Sequence, residues 1–203
     1  MRLGLLGPAG GDLAALARAA EFLLNGAKVG RAIYLGGDDA LEETVAAWAE
    51  SLVGPDPSDE GIWTRAFDVA AHGTAEQIDT FLRAERARLR LKSLERLPHE
   101  ELRSVEMFGD RVAILIHDKA LLDEEDIYSA SYLFYGKGDA PLIKSIGPRW
   151  FVTPGPVGSA GGGALVLDDA DEAVVATLYD ADGHATRSET LSVARAAKLS
   201  VRP

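Results

Sequence analysis

The sequence predicts an α/β fold, on three observations. An apolar run at residues 2–6, a helix-spaced segment and a second apolar run at 32–35 make a strand–helix–strand opening. Such an opening calls for a parallel pair joined by a right-handed crossover. Residues 112–116, Val-Ala-Ile-Leu-Ile, are wholly apolar, as a strand covered on both faces is. Two glycine-rich loops, 136–141 and 154–158, follow the apolar runs 132–135 and 150–153. Glycine at strand ends lets the backbone approach a ligand closely.

In order, the first strand ends in the turn Gly-Pro-Ala-Gly-Gly, residues 7–11. Asp12 suits a helix N-cap, its carboxylate accepting from a free first-turn amide. Leu13, Leu16, Ala20, Leu23 and Leu24 recur at helical spacing, and Asn25-Gly26 ends that helix. The strand at 32–35 is closed by Gly36-Gly37-Asp38-Asp39. A second helix is predicted over about 40–52, with Leu41, Val45 and Trp48 on one face, before a loop at 54–58. Residues 64–70 read as a third strand. Thr74 and Gln77 form a capping box opening a helix that runs to about residue 97, with Ile78, Phe81, Leu82, Leu89 and Leu94 on its apolar side.

Strands are predicted at 102–108 and 112–116, joined at Gly109-Asp110, and a short helix at about 123–129. Residues 164–167, 174–179 and 189–193 read as antiparallel strands, with a hairpin turn at Asp182-Gly183. No interdomain linker interrupts the pattern, so residues 1–203 are expected to form one domain.

Composition removes several function classes. A formal net charge of −11 argues against a nucleic-acid backbone or an anionic membrane as partner. The absence of cysteine excludes disulfides, thiolate metal sites and cysteine nucleophiles. No apolar run approaches the roughly 20 residues of a membrane-spanning helix. The apolar run near the start is too short for a signal peptide, and a cytoplasmic location is expected. No Gly-Lys-[Ser/Thr] follows the glycines at 7–11, and no serine sits in a G-x-S-x-G elbow, so phosphate-loop binding and serine hydrolysis lack their motifs.

The loops carry a resemblance. Gly4-Leu5-Leu6-Gly7-Pro8-Ala9-Gly10-Gly11-Asp12-Leu13 resembles the G-V-I-S-D-T-H-G-N-L of the calcineurin-like metallophosphoesterases, and Tyr34-Leu35-Gly36-Gly37-Asp38 resembles their L-G-D block. Leu115-Ile116-His117-Asp118 is similar to V-H-G, Gly136-Lys137-Gly138-Asp139 to G-H-x-H, and Thr153-Pro154-Gly155-Pro156 to N-P-G-S. The interval of the G-N-H-[DE] block is filled by residues 69–74, Val-Ala-Ala-His-Gly-Thr, which lack its asparagine and acid.

The resemblance implies a two-sheet α/β sandwich with flanking helices and a two-metal site at the C-terminal ends of central strands. The chain looks like a degenerate member of the small phosphodiesterase type. The family's first aspartate and histidine fall on Pro8 and Gly10, and its bridging aspartate falls on Gly37, with Asp38 one place late. The lone histidine is retained as His117, and the last two histidines fall on Lys137 and Asp139.

Two divalent cations about 4 Å apart need bridging carboxylates and several further ligands to offset their repulsion. An ammonium has no lone pair and repels a cation. The expectation is therefore a fold without metal, cofactor or catalytic residue, in which Lys137 supplies positive charge by pairing with Asp38 or Asp118. His117, at the end of a buried strand, reads as a hydrogen-bonded core histidine, and His72, His99 and His184 read as loop residues.

Arg83, Arg86, Arg88, Arg90, Lys92 and Arg96 cluster along the segment that follows the capping box. They suit either a solvated face paired to Glu85 and Glu95 or a docking surface for an acidic protein partner or a second subunit. Trp63 is a further candidate anchor, whereas Trp48 and Trp150 fit core positions. The leading expectation is a catalytically inactive phosphoesterase-like binding or scaffold module. Two alternatives stand beside it. One is a residual phosphodiesterase or phosphatase with a single metal on His117 and neighbouring aspartates. The other is a sensor holding a small anion or nucleotide in the emptied pocket beside Lys137.

Overall fold

The computed structural model describes residues 1–98, 102–170 and 173–192. The first half of the chain runs β1 (Arg2–Leu6), α1 (Leu13–Glu21), β2 (Arg31–Tyr34), α2 (Ala40–Val53), α3 (Gly61–His72), α4 (Ala75–Arg90) and β3 (Leu94–Arg96). The second half runs β4 (Arg103–Phe108), β5 (Arg111–Ile116), α5 (Glu124–Ser129), β6 (Tyr132–Tyr135), β7 (Leu142–Ile146), β8 (Arg149–Thr153), β9 (Ala164–Ala170), β10 (Ala173–Tyr179) and β11 (Ala185–Leu191).

These strands form two sheets, ordered β11-β10-β9-β1-β2-β3 and β4-β5-β6-β8-β7. Strands β1, β2 and β3 are mutually parallel in the first, as β5, β6 and β8 are in the second. The remaining pairs are antiparallel. The architecture is the expected two-sheet α/β sandwich with flanking helices.

The apolar pattern sorts each strand between layers. Leu3, Leu5, Ile33, Leu165 and Leu167 of one sheet meet Phe108, Leu115, Phe134 and Val152 of the other in the inner core. The alternate residues Leu6, Ala32, Tyr34 and Val166 face the opposite way, onto α1 and α2. Ile114, Ile116, Leu133 and Tyr135 make a third, smaller layer outside the second sheet. Burying a large aliphatic side chain stabilises by about 1.5–3 kcal/mol, so this two-faced burial of β1, β2, β5 and β6 holds the strand ends rigidly.

Helix starts follow their caps. Asp12 Oδ1 accepts from the Ala15 amide at 2.9 Å, and the Thr74–Gln77 capping box is formed. A second capping box, Asp123 with Asp126, opens α5. Helix α1 closes in a wider, π-type turn over Phe22–Gly26, where the Ala27 amide reaches the Phe22 carbonyl at 2.8 Å.

Several expectations are corrected. Residues 64–70 are helical, within α3, because their apolar residues recur at three and four places and the Ser58 hydroxyl accepts the Gly61 amide to start a turn. The helix from the capping box stops at Arg90. Ser93 Oγ bonds back to the Arg90 carbonyl, and Leu94 leaves the helical path to pair with Ala32 in β3. Its anticipated apolar side is largely outside: Ile78, Leu82 and Leu89 are exposed, while Glu85 and Arg88 face inward. Strand β7, unanticipated, is an edge strand with a single buried residue, Ile143. The last strand is earlier than expected, at Ala185–Leu191, and Val193 and His99 lie outside the described residues.

Candidate functional site

The C-terminal ends of β1, β2, β5, β6 and β8 converge. The Leu35 amide bonds the Leu6 carbonyl at 2.8 Å, and the Lys137 amide bonds the His117 carbonyl at 2.7 Å. His117 Nδ1 lies 2.8 Å from the Leu35 carbonyl, joining the two sheets. A Cβ at Gly136 would lie 2.0 Å from the Leu35 carbonyl oxygen, so only a glycine lets β6 end this close to β2. The loops that follow these strands hold Pro8, Gly10, Gly37, Asp38, His117, Lys137 and Asp139.

Tyr34 organises the first half of that edge. Its side chain is fully buried, and its hydroxyl accepts the Ala9 amide at 2.9 Å and donates to Asp38 Oδ1 at 2.6 Å. Ala9 stands between Pro8 and Gly10, so the phenol bridges the β1 loop and the β2 loop. A Cβ at Gly36 would come within 2.3 Å of the phenol, so Gly36 makes the room it occupies. Burial, then the hydrogen bond to Asp38, raise the phenol well above its ordinary pKa and keep it neutral. The signal in the sequence was a tyrosine ending an apolar strand, with glycine two places and aspartate four places on.

Lys137 and Asp118 organise the second half. Lys137 Nζ donates to Asp118 Oδ2 at 2.6 Å, while Asp118 Oδ1 accepts the Ala120 amide at 2.9 Å. The Lys137 hydrogen bond, then that amide, hold the Asp118 carboxyl below its usual range. Of the two partners anticipated for Lys137, the structure brings Asp118 to it. A carbonyl can only accept, so His117 Nδ1 carries the proton, and Nε2 is turned to Gly37, whose added Cβ would sit 3.1 Å from it. Asp12 remains occupied with its cap, and Asp139 and Gly10 are exposed. Residues 69–74, aligned with the family's third block, lie on the end of α3 and the turn into α4 rather than at a strand end.

The residues present do not fit a pair of divalent cations. Pro8, Gly10 and Gly37 offer no side-chain donor, Lys137 is cationic, and Asp38 and Asp118 are tied to Tyr34 and Lys137. Among the described residues, no three histidine, aspartate or glutamate side chains are grouped to hold an ion. Beside this wiring a cleft of about 450 Å³ opens, lined by Asp118, Lys119, Tyr135, Lys137, Pro141 and Thr153. Lys119 Nζ stands 4.7 Å over the Tyr135 ring.

The basic cluster is not one surface. Arg88 is buried against Glu85 at 2.7 Å and also bonds Asp59 and the Pro57 carbonyl. Arg90 donates to the Leu24 and Val29 carbonyls, Lys92 pairs with Asp59, and Arg96 lies on β3 against Asp39 and Glu42. Arg83 pairs with Asp79 one helical turn away, and Arg86 is exposed. Arg65, on α3, closes the group by bonding Glu85 at 2.7 Å.

No family model matches the sequence, and no curated protein matches it. Solved structures do. A phosphoesterase from E. coli, YfcE, aligns with a TM-score of 0.53 and 14% identity over 95% of this chain and 100% of that one. A predicted phosphoesterase from Streptococcus pneumoniae aligns with a TM-score of 0.50 and 12% identity over 93% of this chain and 97% of that one. Vps29 from Chaetomium thermophilum aligns with a TM-score of 0.49 and 13% identity over 96% and 100% of the two chains. At these identities the likeness shows the fold, which is that of the calcineurin-like phosphoesterases.

Proposed function

We propose that this chain keeps the phosphoesterase fold but works by binding, as a module without metal-assisted hydrolysis. By the family resemblance, Pro8, Gly10, Gly37, Asp38, His117, Lys137 and Asp139 fall at the former ligand positions, and among the described residues no metal-ligand set is grouped to activate a water. The observation that supports this reading is the internal wiring of the edge. The Tyr34 phenol bridges Ala9 and Asp38, and the Lys137 ammonium holds Asp118. A fixed positive charge lies where an incoming cation would need a lone pair. The test is hydrolysis of a chromogenic phosphodiester with excess manganese. The expected result is no turnover above manganese alone. Turnover that His117→Ala abolishes would overturn the proposal.

A second reading is favoured by the cleft beside Lys137, where the Lys119 and Lys137 ammonium groups, a phenol and the Thr153 hydroxyl line one opening together with the Asp118 and Asp139 carboxylates, Asp118 being paired with Lys137. Such a set suits a small oxyanion. A rise in melting temperature with inorganic phosphate, lost in Lys119→Ala, supports it. An unchanged melting temperature removes it.

A further inference from the structure

Helix α4 turns Glu85 and Arg88 inward, and the arginine is left with an unused donor. The Arg88 side chain is only 5% exposed. Its Nε donates to Glu85 Oε2 at 2.7 Å, and its Nη1 donates to the Pro57 carbonyl at 2.9 Å and to Asp59 Oδ1 at 3.0 Å. These bonds fix the plane of the guanidinium. The other terminal nitrogen, Nη2, makes no hydrogen bond to a described residue, and it is not sealed from solvent. A guanidinium carries N–H donors on all three nitrogens, so those on Nη2 are spare.

Arg88 lines a cleft of about 500 Å³ between α2, the loop at 56–58 and the end of α4. Val45, Ala46, Ala49, Pro57, Leu91 and Leu94 give it aliphatic walls. Ala46 and Ala49 stand one turn apart on α2, and their small side chains leave the room. Small-molecule sites measure roughly 300–1,000 Å³ and combine mainly apolar walls with a few placed polar groups. The cleft shares no lining residue with the one beside Lys137.

We propose that this cleft binds a medium-chain aliphatic monocarboxylate, with its carboxylate on Arg88 Nη2 and its chain along Val45, Ala49 and Leu91. The site is separate from both readings above and needs neither. A carboxylate meets the spare N–H groups in a charge-assisted hydrogen bond, the strong kind. A donor left without an acceptor among apolar walls is costly, so the site gains by taking one. Glu85, Asp59 and Pro57 already hold the guanidinium, so binding requires little ordering of the protein. No aromatic ring lines the cleft, which favours an aliphatic chain over a stacked ring.

The remaining charges on the lining select the head group. Lys92 is paired with Asp59, Glu42 with Arg96 at 2.7 Å, and the Asp56 carboxylate accepts the Ser58 hydroxyl at 2.6 Å. Glu42 and Asp56 oppose Arg88 and Lys92, two acids against two bases, so the cleft has no surplus charge to hold a dianion such as phosphate. One buried pair of donors beside an aliphatic wall suits a single negative charge on an apolar body.

The test is calorimetric titration of the full chain with octanoate. The expected result is one saturable site with a Kd in the millimolar range or tighter, and binding of octanol at least about tenfold weaker. Ala46→Phe fills the cleft from its exposed side and leaves the Glu85–Arg88 pair in place. It is expected to abolish binding with the melting temperature unchanged. Arg88→Lys is expected to weaken binding about tenfold or more, because an ammonium does not offer the planar fork. Lys119→Ala, in the other cleft, is expected to bind octanoate as the wild type does. A wild type without saturable binding, octanol binding as tightly as octanoate, or octanoate binding that survives Ala46→Phe overturns the proposal.

Discussion

The Tyr34 hydroxyl donates to Oδ1 of Asp38 at 2.6 Å, and the Tyr34 hydroxyl oxygen accepts the Ala9 amide at 2.9 Å. One phenol thereby joins the loops in which the family resemblance places an aspartate, a histidine and a bridging aspartate. Its ring fills space with a neutral group held by two hydrogen bonds.

Removing the hydroxyl is the first prediction. Tyr34→Phe leaves the buried Ala9 amide without its acceptor, so it is expected to lower stability by about 1–3 kcal/mol. Denaturant unfolding reads this directly. An unchanged midpoint would mean that the bridge contributes nothing to the fold.

Gly36 makes the second. An added Cβ would stand about 2.2 Å from the Tyr34 ring carbon that bears the hydroxyl. Gly36→Ala is expected to destabilise by about 1–3 kcal/mol, as overpacking does. Combined with Tyr34→Leu, its effect is expected to be less than additive, because the two residues compete for one space.

The third concerns Lys137. Lys137 is 67% exposed in its pair with the half-buried Asp118, so Lys137→Ala is expected to change stability by less than about 1 kcal/mol. The sharper readout is the Asp118 carboxyl. Followed by NMR, its titration is expected to move up toward the usual carboxylate range once the ammonium is gone. An unmoved titration would show that the two groups are not coupled in solution.

Much of this was legible in the sequence. Strands β1, β2, β5, β6, β9 and β10 stand where uninterrupted apolar runs placed them, and both Asp12 and the Thr74–Gln77 box cap as their residue types dictate. The loops at the strand ends were readable through their glycines. The failures have two causes. Helix α3 carries an apolar spacing of three and four places that a strand at 64–70 does not use. The end of α4 turns on tertiary contacts, a strand pairing at Leu94 beside the Arg65–Glu85–Arg88 group, that no local periodicity announces. The same contacts draw Arg88 inward, while Arg83, Lys92 and Arg96 are exposed or half-buried but paired with carboxylates of this chain. Tyr34 sits in an apolar strand and its ring is core. Its polar tip is what reaches the site.

The buried ion group gives a fourth prediction. Burial pushes the Glu85 carboxyl up, and hydrogen bonds from Arg88 and Arg65 outweigh it, leaving the group below its usual range. A carboxylate with a depressed folded pKa stabilises above the unfolded value and loses that contribution as pH falls through the folded value. Melting temperature is expected to drop as pH falls from about 5 to below 4. Glu85→Gln is expected to cost about 1–3 kcal/mol at neutral pH, because Arg65 and Arg88 lose their shared carboxylate while Arg88 keeps Asp59 and the Pro57 carbonyl, and to flatten the acid limb. A variant with the wild-type acid profile would remove Glu85 as its source.

The most direct test of the central claim is metal content. Protein purified without chelator, incubated with excess manganese and freed of unbound ion, is measured by elemental analysis. An edge wired through Tyr34–Asp38 and Lys137–Asp118 predicts no retained manganese. Stoichiometric manganese, lost in His117→Ala, would contradict it and return the chain to metal-dependent phosphoester chemistry.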